Sequence, residues 1–268
     1  MEKKKEKGIL WFIKGIVILI LLGVVVYETV MICKDQEEYH ISEEEYDEIR
    51  ETYVKGDASI GLDDEDRETS YPDLQVDFDE LREVNSDFIA WLYFPAVDVS
   101  YPVVKEQSID QYLYLTFEGV HNKAGCIFMD VLSHEDFSGP SDMIFGHNMK
   151  NGSMFGSLKA IYKKGGEDLI ADNPHIYIYT RDKVIEYNIF AYYTTAADSY
   201  SYTEVTSDDE YDDYISYIKR STMVDFPEGL SLEERPALLT LSTCAGQAGS
   251  GRRFVVHTYK NHEWEMKK

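Results

Sequence analysis

Near the C-terminus, Thr240-Leu241-Ser242-Thr243-Cys244 ends an apolar run, and Arg252 and Arg253 open a second one eight and nine residues later. Cysteine attacks as the thiolate, and a neighbouring Arg or protonated His stabilises that form, so the spacing reads as an activated nucleophile at a strand end. A buried structural cysteine is the competing reading and the commoner fate of a lone thiol. Such a nucleophile needs a proton acceptor. Ile144-Phe145-Gly146-His147-Asn148-Met149 sets an imidazole where a strand gives way to a glycine-containing loop, where it can exchange protons near neutral pH. A satisfied structural histidine is the plain alternative. Of the other histidines, His121 and His134 read as loop residues, His175 and His257 as strand residues of either face, and His40 and His262 as peripheral.

Those groups must be held by a rigid frame, and the sequence divides into four parts around it. Residues 1–8 form a basic tail with Lys3, Lys4, Lys5 and Lys7. Residues 9–32 are apolar apart from Lys14, Glu28, Thr29 and a few Gly and Tyr, which approaches the roughly 20 residues a bilayer crossing needs. The basic flank predicts a cytoplasmic N-terminus and an extracellular remainder. Ile32 stands where a lipoprotein signal has a small residue before its cysteine, and no small-x-small site follows Val26, so an uncleaved anchor is expected rather than a signal peptide.

Residues 33–72 are expected to form an acidic stalk. Within it Ser42 and Glu45 make a capping box, and Ile41, Tyr46, Ile49 and Tyr53 recur at helical spacing before Gly56, which predicts a short amphipathic helix. Gly56 to Ser70 reads as a solvated linker.

In residues 73–268, Phe78, Leu81 and Val84 predict a helix. Strands are expected at Ile89–Phe94, Val97–Val104, Gly125–Met129, Asp142–Phe145, His175–Thr180, Val184–Thr195, Ala237–Ser242 and Phe254–Tyr259. Met154, Phe155, Leu158 and Ile161 mark a further helical face, and Ser207 caps a helix running to about Arg220. Many short strands with few long helices predict a mainly β fold with added helices, a closed or nearly closed β-barrel.

With 26 basic and 50 acidic side chains the net charge is −24, which argues against a nucleic-acid partner. Three cysteines, Cys33, Cys126 and Cys244, do not make a disulfide scaffold, and the seven histidines show no metal-binding spacing, so neither metal nor cofactor is expected.

Three boxes together resemble the sortase family, class B in particular: Gly146-His147-Asn148-Met149-Lys150-Asn151-Gly152-Ser153-Met154-Phe155, the Thr240–Cys244 box, and Arg253-Phe254-Val255-Val256. The resemblance runs from about Asn85 to Tyr259 and includes Tyr101-Pro102-Val103-Val104 and the capped helix at 208–220, which looks like the class B insertion between two barrel strands. It implies an eight-stranded barrel and cysteine transpeptidation of secreted proteins onto a Gram-positive cell wall. It also implies that Cys244 attacks the Thr carbonyl of a sorting-signal pentapeptide, that His147 moves the protons, and that Arg253 binds substrate and stabilises the oxyanion. Ser242, Thr243 and the Ala245 backbone N–H are the further substrate or oxyanion contacts it implies, one such donor being worth roughly 3 kcal/mol. A peptidoglycan amine, or a pilin lysine in pilus assembly, would be the acceptor.

Adjacent strand residues point to opposite faces, so only one arginine can face the thiol; the resemblance implies Arg253, which directly precedes the Phe-Val-Val run as in relatives. Gly246 stands where an acid would complete a triad, so no Cys-His-Asp triad is expected there. A cysteine phosphatase fits poorly, since its arginine follows after five residues. A cysteine protease and a tethered binding module with a structural Cys244 remain as alternatives.

Overall fold

A computed structural model describes residues 2–57, 71–163, 165–246 and 249–266. Helix α1 spans Glu2–Tyr53 and takes in parts of two compact units, which divide between Ile41 and Ser42. In the first unit the side chains from Trp11 through Ile32 are largely exposed apolar groups, and this helix is long and apolar enough to cross a membrane, with a mean hydropathy of 2.7 over its most apolar window.

The second unit, from Ser42 onward, holds a closed mixed β-barrel. A two-stranded sheet comes first, β1 (Val54–Asp57) against β2 (Asp73–Val76), followed by α2 (Phe78–Val84). The barrel strands are β3 (Phe88–Phe94), β4 (Val99–Lys105), β5 (Ile127–Met129), β6 (Asp142–Phe145), β7 (His175–Tyr179), β8 (Lys183–Ala196), β9 (Leu238–Cys244) and β10 (Arg252–Glu265). They close in the order β10-β8-β7-β3-β4-β5-β6-β9, with β4–β5 and β6–β9 parallel and the other pairs antiparallel. Closure leaves no strand edge unpaired. Helix α3 (Gly166–Asp172) precedes β7, and α4 (Asp208–Ser221) is inserted between β8 and β9. Ser207 Oγ accepts the Glu210 N–H as its N-cap, and Tyr211, Tyr214, Ile215 and Ile218 bury their face against Phe190, Tyr193, Leu238 and Val255 of the barrel.

Four expectations need correction. The capping box at Ser42 starts no helix: α1 runs through it without a break, and Ser42 is buried inside that helix. Tyr46 and Ile49 are buried as the helical spacing requires, so residues 42–57 belong with the barrel unit rather than with a stalk. Gly56 lies in β1 instead of ending the helix, and the rest of the expected linker, residues 58–70, lies outside the described residues. The apolar face at Met154–Ile161 is buried, but it forms a 3₁₀ turn, Gly156–Ala160, too short for an α-helix.

Candidate active site

Strands β9 and β10 run antiparallel with Cys244 directly opposite Arg253. The flanking bond runs from the Ala245 N–H to the Arg252 carbonyl, 2.9 Å. That pattern makes Cys244 and Arg253 a non-hydrogen-bonded pair, whose Cα atoms characteristically sit about 4.5 Å apart with side chains on one face. Arg252, one residue earlier, leaves by the opposite face and donates from Nη2 to Thr194 Oγ1 at 2.9 Å. Arg253 has its Nη1 on its neighbour's carbonyl at 3.2 Å. The alternation predicted from sequence thus sets Arg253 on the side of the thiol.

The imidazole arrives on the other flank of β9. Strand β6 runs parallel to β9 with Phe145 opposite Ser242, and Gly146 closes the ladder by donating to the Ser242 carbonyl at 3.2 Å. His147 follows Phe145 by two residues and Cys244 follows Ser242 by two, so both functional groups leave neighbouring strands at one level. Gly146 between them has no room for a side chain, since a Cβ would lie 2.8 Å from the Phe155 ring. Asn148 Nδ2 donates to the Cys244 carbonyl at 2.7 Å and Thr243 Oγ1 to the Gly146 carbonyl at 2.7 Å, which fastens the histidine loop to the cysteine strand.

His147 Nε2 lies 2.6 Å from the Leu113 carbonyl. A carbonyl only accepts, so Nε2 carries the proton and Nδ1 is the nitrogen left for exchange. Burial pushes the imidazole below its usual range, and the Leu113 bond pulls it partly back. The Tyr114 ring lies 5.9 Å from it and stacks in turn on His121, 6.0 Å away. Cys244 is exposed, and its thiol makes no hydrogen bond among the described residues.

The remaining expected contacts are already committed. Ser242 is buried, its Oγ 2.8 Å from Tyr202 Oη, while Thr243 points to the other face with its hydroxyl on Gly146. The Ala245 N–H is held by Arg252, so it is not a free oxyanion donor in this state. Residue type does not reveal which face a strand residue takes or which rung closes the ladder. Two participants went unread: Leu113, which contributes only a backbone carbonyl, and Tyr202, whose ring stacks on Phe145 at 6.3 Å. A backbone role leaves no signal in residue type, and Tyr202 is one tyrosine among 21. A cleft of about 390 Å³ lies along β6, lined by residues that include Asp130, His134, Asp142, Phe145, Tyr202 and Val205; Cys244, His147 and Arg253 do not line it.

No group of three or more His, Cys, Asp or Glu among the described residues is placed to hold a metal ion.

The Sortase domain family model matches residues 92–261. Sortase B of Listeria monocytogenes is 26% identical over 227 residues, covering 84% of this chain and 87% of that protein. Sortase B of Staphylococcus aureus is 26% identical over 181 residues, covering 64% and 68%. Among solved structures, sortase B from Bacillus anthracis superposes with a TM-score of 0.66 at 25% identity, covering 84% of this chain and 98% of that one. The chain belongs to the sortase family of transpeptidases. Within that family it is a class B sortase.

Proposed function

We propose that Cys244, His147 and Arg253 catalyse transfer of a sorting-signal acyl group to an amine at the outer face of a membrane. The observation that carries this reading is the non-hydrogen-bonded pairing of Cys244 with Arg253, flanked by His147 from the parallel neighbour. In the reactive ion pair, the Cys244 thiolate attacks the Thr carbonyl carbon of a sorting-signal pentapeptide on a secreted protein. Arg253 donates to the developing oxyanion. As the C–N bond breaks, imidazolium His147 gives its proton to the leaving amine and becomes neutral, which leaves a thioester on Sγ. An acceptor amine then attacks the thioester carbon, loses a proton to His147 and expels the thiolate. The ion pair is thereby restored. Burial of His147 favours its neutral form, which opposes formation of the imidazolium.

Peptidoglycan is the proposed acceptor of a surface-anchoring enzyme on a Gram-positive cell, with the apolar part of α1 as a single-pass anchor. A pilin lysine is the alternative acceptor. Mass spectrometry of the full chain in detergent, incubated with a sorting-peptide library and an amine, tests the reading. The expected result is a thioester on Cys244 and an amide product; hydrolysed peptide alone, with amine in excess, would establish a protease instead.

A further inference from the structure

We propose that Tyr46, on the C-terminal part of α1, is a positioning residue for His147, fixing through one hydroxyl and one ring the two loops between which the imidazole is held. The inference rests on the role given to His147 above. Two segments meet at that side chain: the β4–β5 connection supplies the Leu113 carbonyl and the Tyr114 ring, and the loop after β6 carries His147 itself.

Tyr46 is buried, bonds the first segment directly and reaches the second through Tyr101. Its hydroxyl donates to the Gly125 carbonyl at 2.7 Å and accepts the Phe117 N–H at 3.2 Å, tying the turn at Phe117 to Gly125 within the β4–β5 connection. Gly125 lies so close to the Leu113 carbonyl that a Cβ there would sit 2.6 Å from that oxygen, so the bridged position abuts the acceptor of the imidazole. The Tyr46 ring packs edge-on against Tyr101 at 5.4 Å, and the Tyr101 hydroxyl accepts the Met154 N–H at 3.0 Å. Met154 pairs with Asn148, and Phe155 donates to the His147 carbonyl at 3.0 Å. Two neighbours of Tyr46 on the same helix repeat the arrangement from the surface. Glu43 Oε1 accepts from Asn151 Nδ2 at 2.7 Å in the histidine loop, and Glu45 Oε1 accepts the Glu118 N–H at 3.1 Å in the other.

A positioning role makes a demand that packing alone does not: loosening either loop frees the Leu113 carbonyl from Nε2 and lets the proton distribute over both ring nitrogens. The test is Tyr46→Phe in the full chain in detergent, with the His147 ring nitrogens read by ¹⁵N NMR, assigned with His147→Gln, alongside steady-state transfer kinetics. The parent should show the Nε2–H tautomer. Tyr46→Phe should show a tautomer mixture and a kcat lower by about tenfold with KM within about twofold, the pattern of a misplaced catalytic group. Glu43→Ala, at an exposed position, should move both readouts in the same direction, and Glu43→Gln, which still accepts from Asn151, should restore them. Parent tautomer and parent kcat in Tyr46→Phe would overturn the proposal whatever happens to its melting temperature. Should Tyr46→Phe not fold, unchanged readouts in Glu43→Ala would do the same. Full transfer by His147→Gln would instead sink the role given to the imidazole, while the tautomer comparison would still decide whether Tyr46 orients it.

Discussion

Arg252 and Arg253 are chemically identical neighbours separated by one Cα, yet the register of β10 against β9 gives only Arg253 to the thiol. Its guanidinium offers fixed donors that a lysine point charge does not reproduce. Arg253→Lys should lose at least tenfold in kcat/KM, about 1.4 kcal/mol of transition-state stabilisation, whereas Arg252→Lys should stay within a few-fold. Rates of both variants on one fluorogenic sorting peptide check this; the reverse ranking would assign the role to Arg252. The two barrel cysteines divide as sharply. Cys126 is fully buried against Tyr46, and burial pushes its thiol up to about 12, so it is inert at physiological pH. Cys126→Ser should keep transfer within twofold while losing about 1–3 kcal/mol of stability to the buried hydroxyl, as read by denaturant titration beside the activity assay. A thiol, an imidazole and a guanidinium are distinctive side chains, so Cys244, His147 and Arg253 stand out in the sequence as candidates, and the structure brings them to the ends of neighbouring strands. Residue type says nothing about the faces of Ser242 and Thr243, whose hydroxyls lie on Tyr202 and on the Gly146 carbonyl in the structure.

Strong periodicity marks an element in the sequence, whereas its boundaries depend on tertiary context. Helix α2 and strand β6 lie where their apolar spacing and flanking turn residues put them. Strand β10 continues to Glu265, beyond the apolar run ending at Tyr259, because pairing with β8 satisfies the backbone of a polar stretch that propensity alone would leave as coil. Helix α3 was missed, its Gly-Glu-Asp-Leu-Ile-Ala-Asp sequence having no side-chain cap and too little apolar periodicity.

The packing of α4 on β8, β9 and β10 carries its own pH dependence. His257 is fully buried there, within hydrogen-bonding distance of Thr240 Oγ1 and Tyr193 Oη, and burial lowers its pKa to about 3. Unfolded, it titrates near 6.5. Between these values the unfolded chain binds the extra proton, so this contribution to stability is complete above about pH 6.5 and is lost as pH falls toward 3. His257→Gln should remove that slope, up to about 1.4 kcal/mol per pH unit across the middle of the window. Urea titrations at pH 4.5 and 7 in both proteins decide it; an unchanged slope would mean that other groups dominate acid unfolding.

The whole molecule carries −24 formal charges, and self-repulsion opposes compaction. Raising NaCl from 10 to 200 mM shortens the screening length from about 30 to about 7 Å. The melting temperature should therefore rise by about 2–4 °C, equivalent to about 1 kcal/mol in a domain of this size. A fall on adding salt would show that exposed ion pairs such as Arg235–Asp212 outweigh the repulsion.

The parallel pairing of β6 with β9 has a consequence in time. Phe145 and Ser242 lie nearly a hundred positions apart along the chain, and β10, which carries Arg253, follows the other barrel strands in chain order. Contacts of such long sequence separation pay a large loop-closure entropy before they return any stabilisation, so they form late in folding. A ribosome working from the N-terminus releases β9 and β10 after every other strand. Until then the nascent enzyme has an imidazole without a thiol, then a thiol without its cation. On the proposed roles of these groups, transfer is expected only once β9 and β10 have joined the barrel.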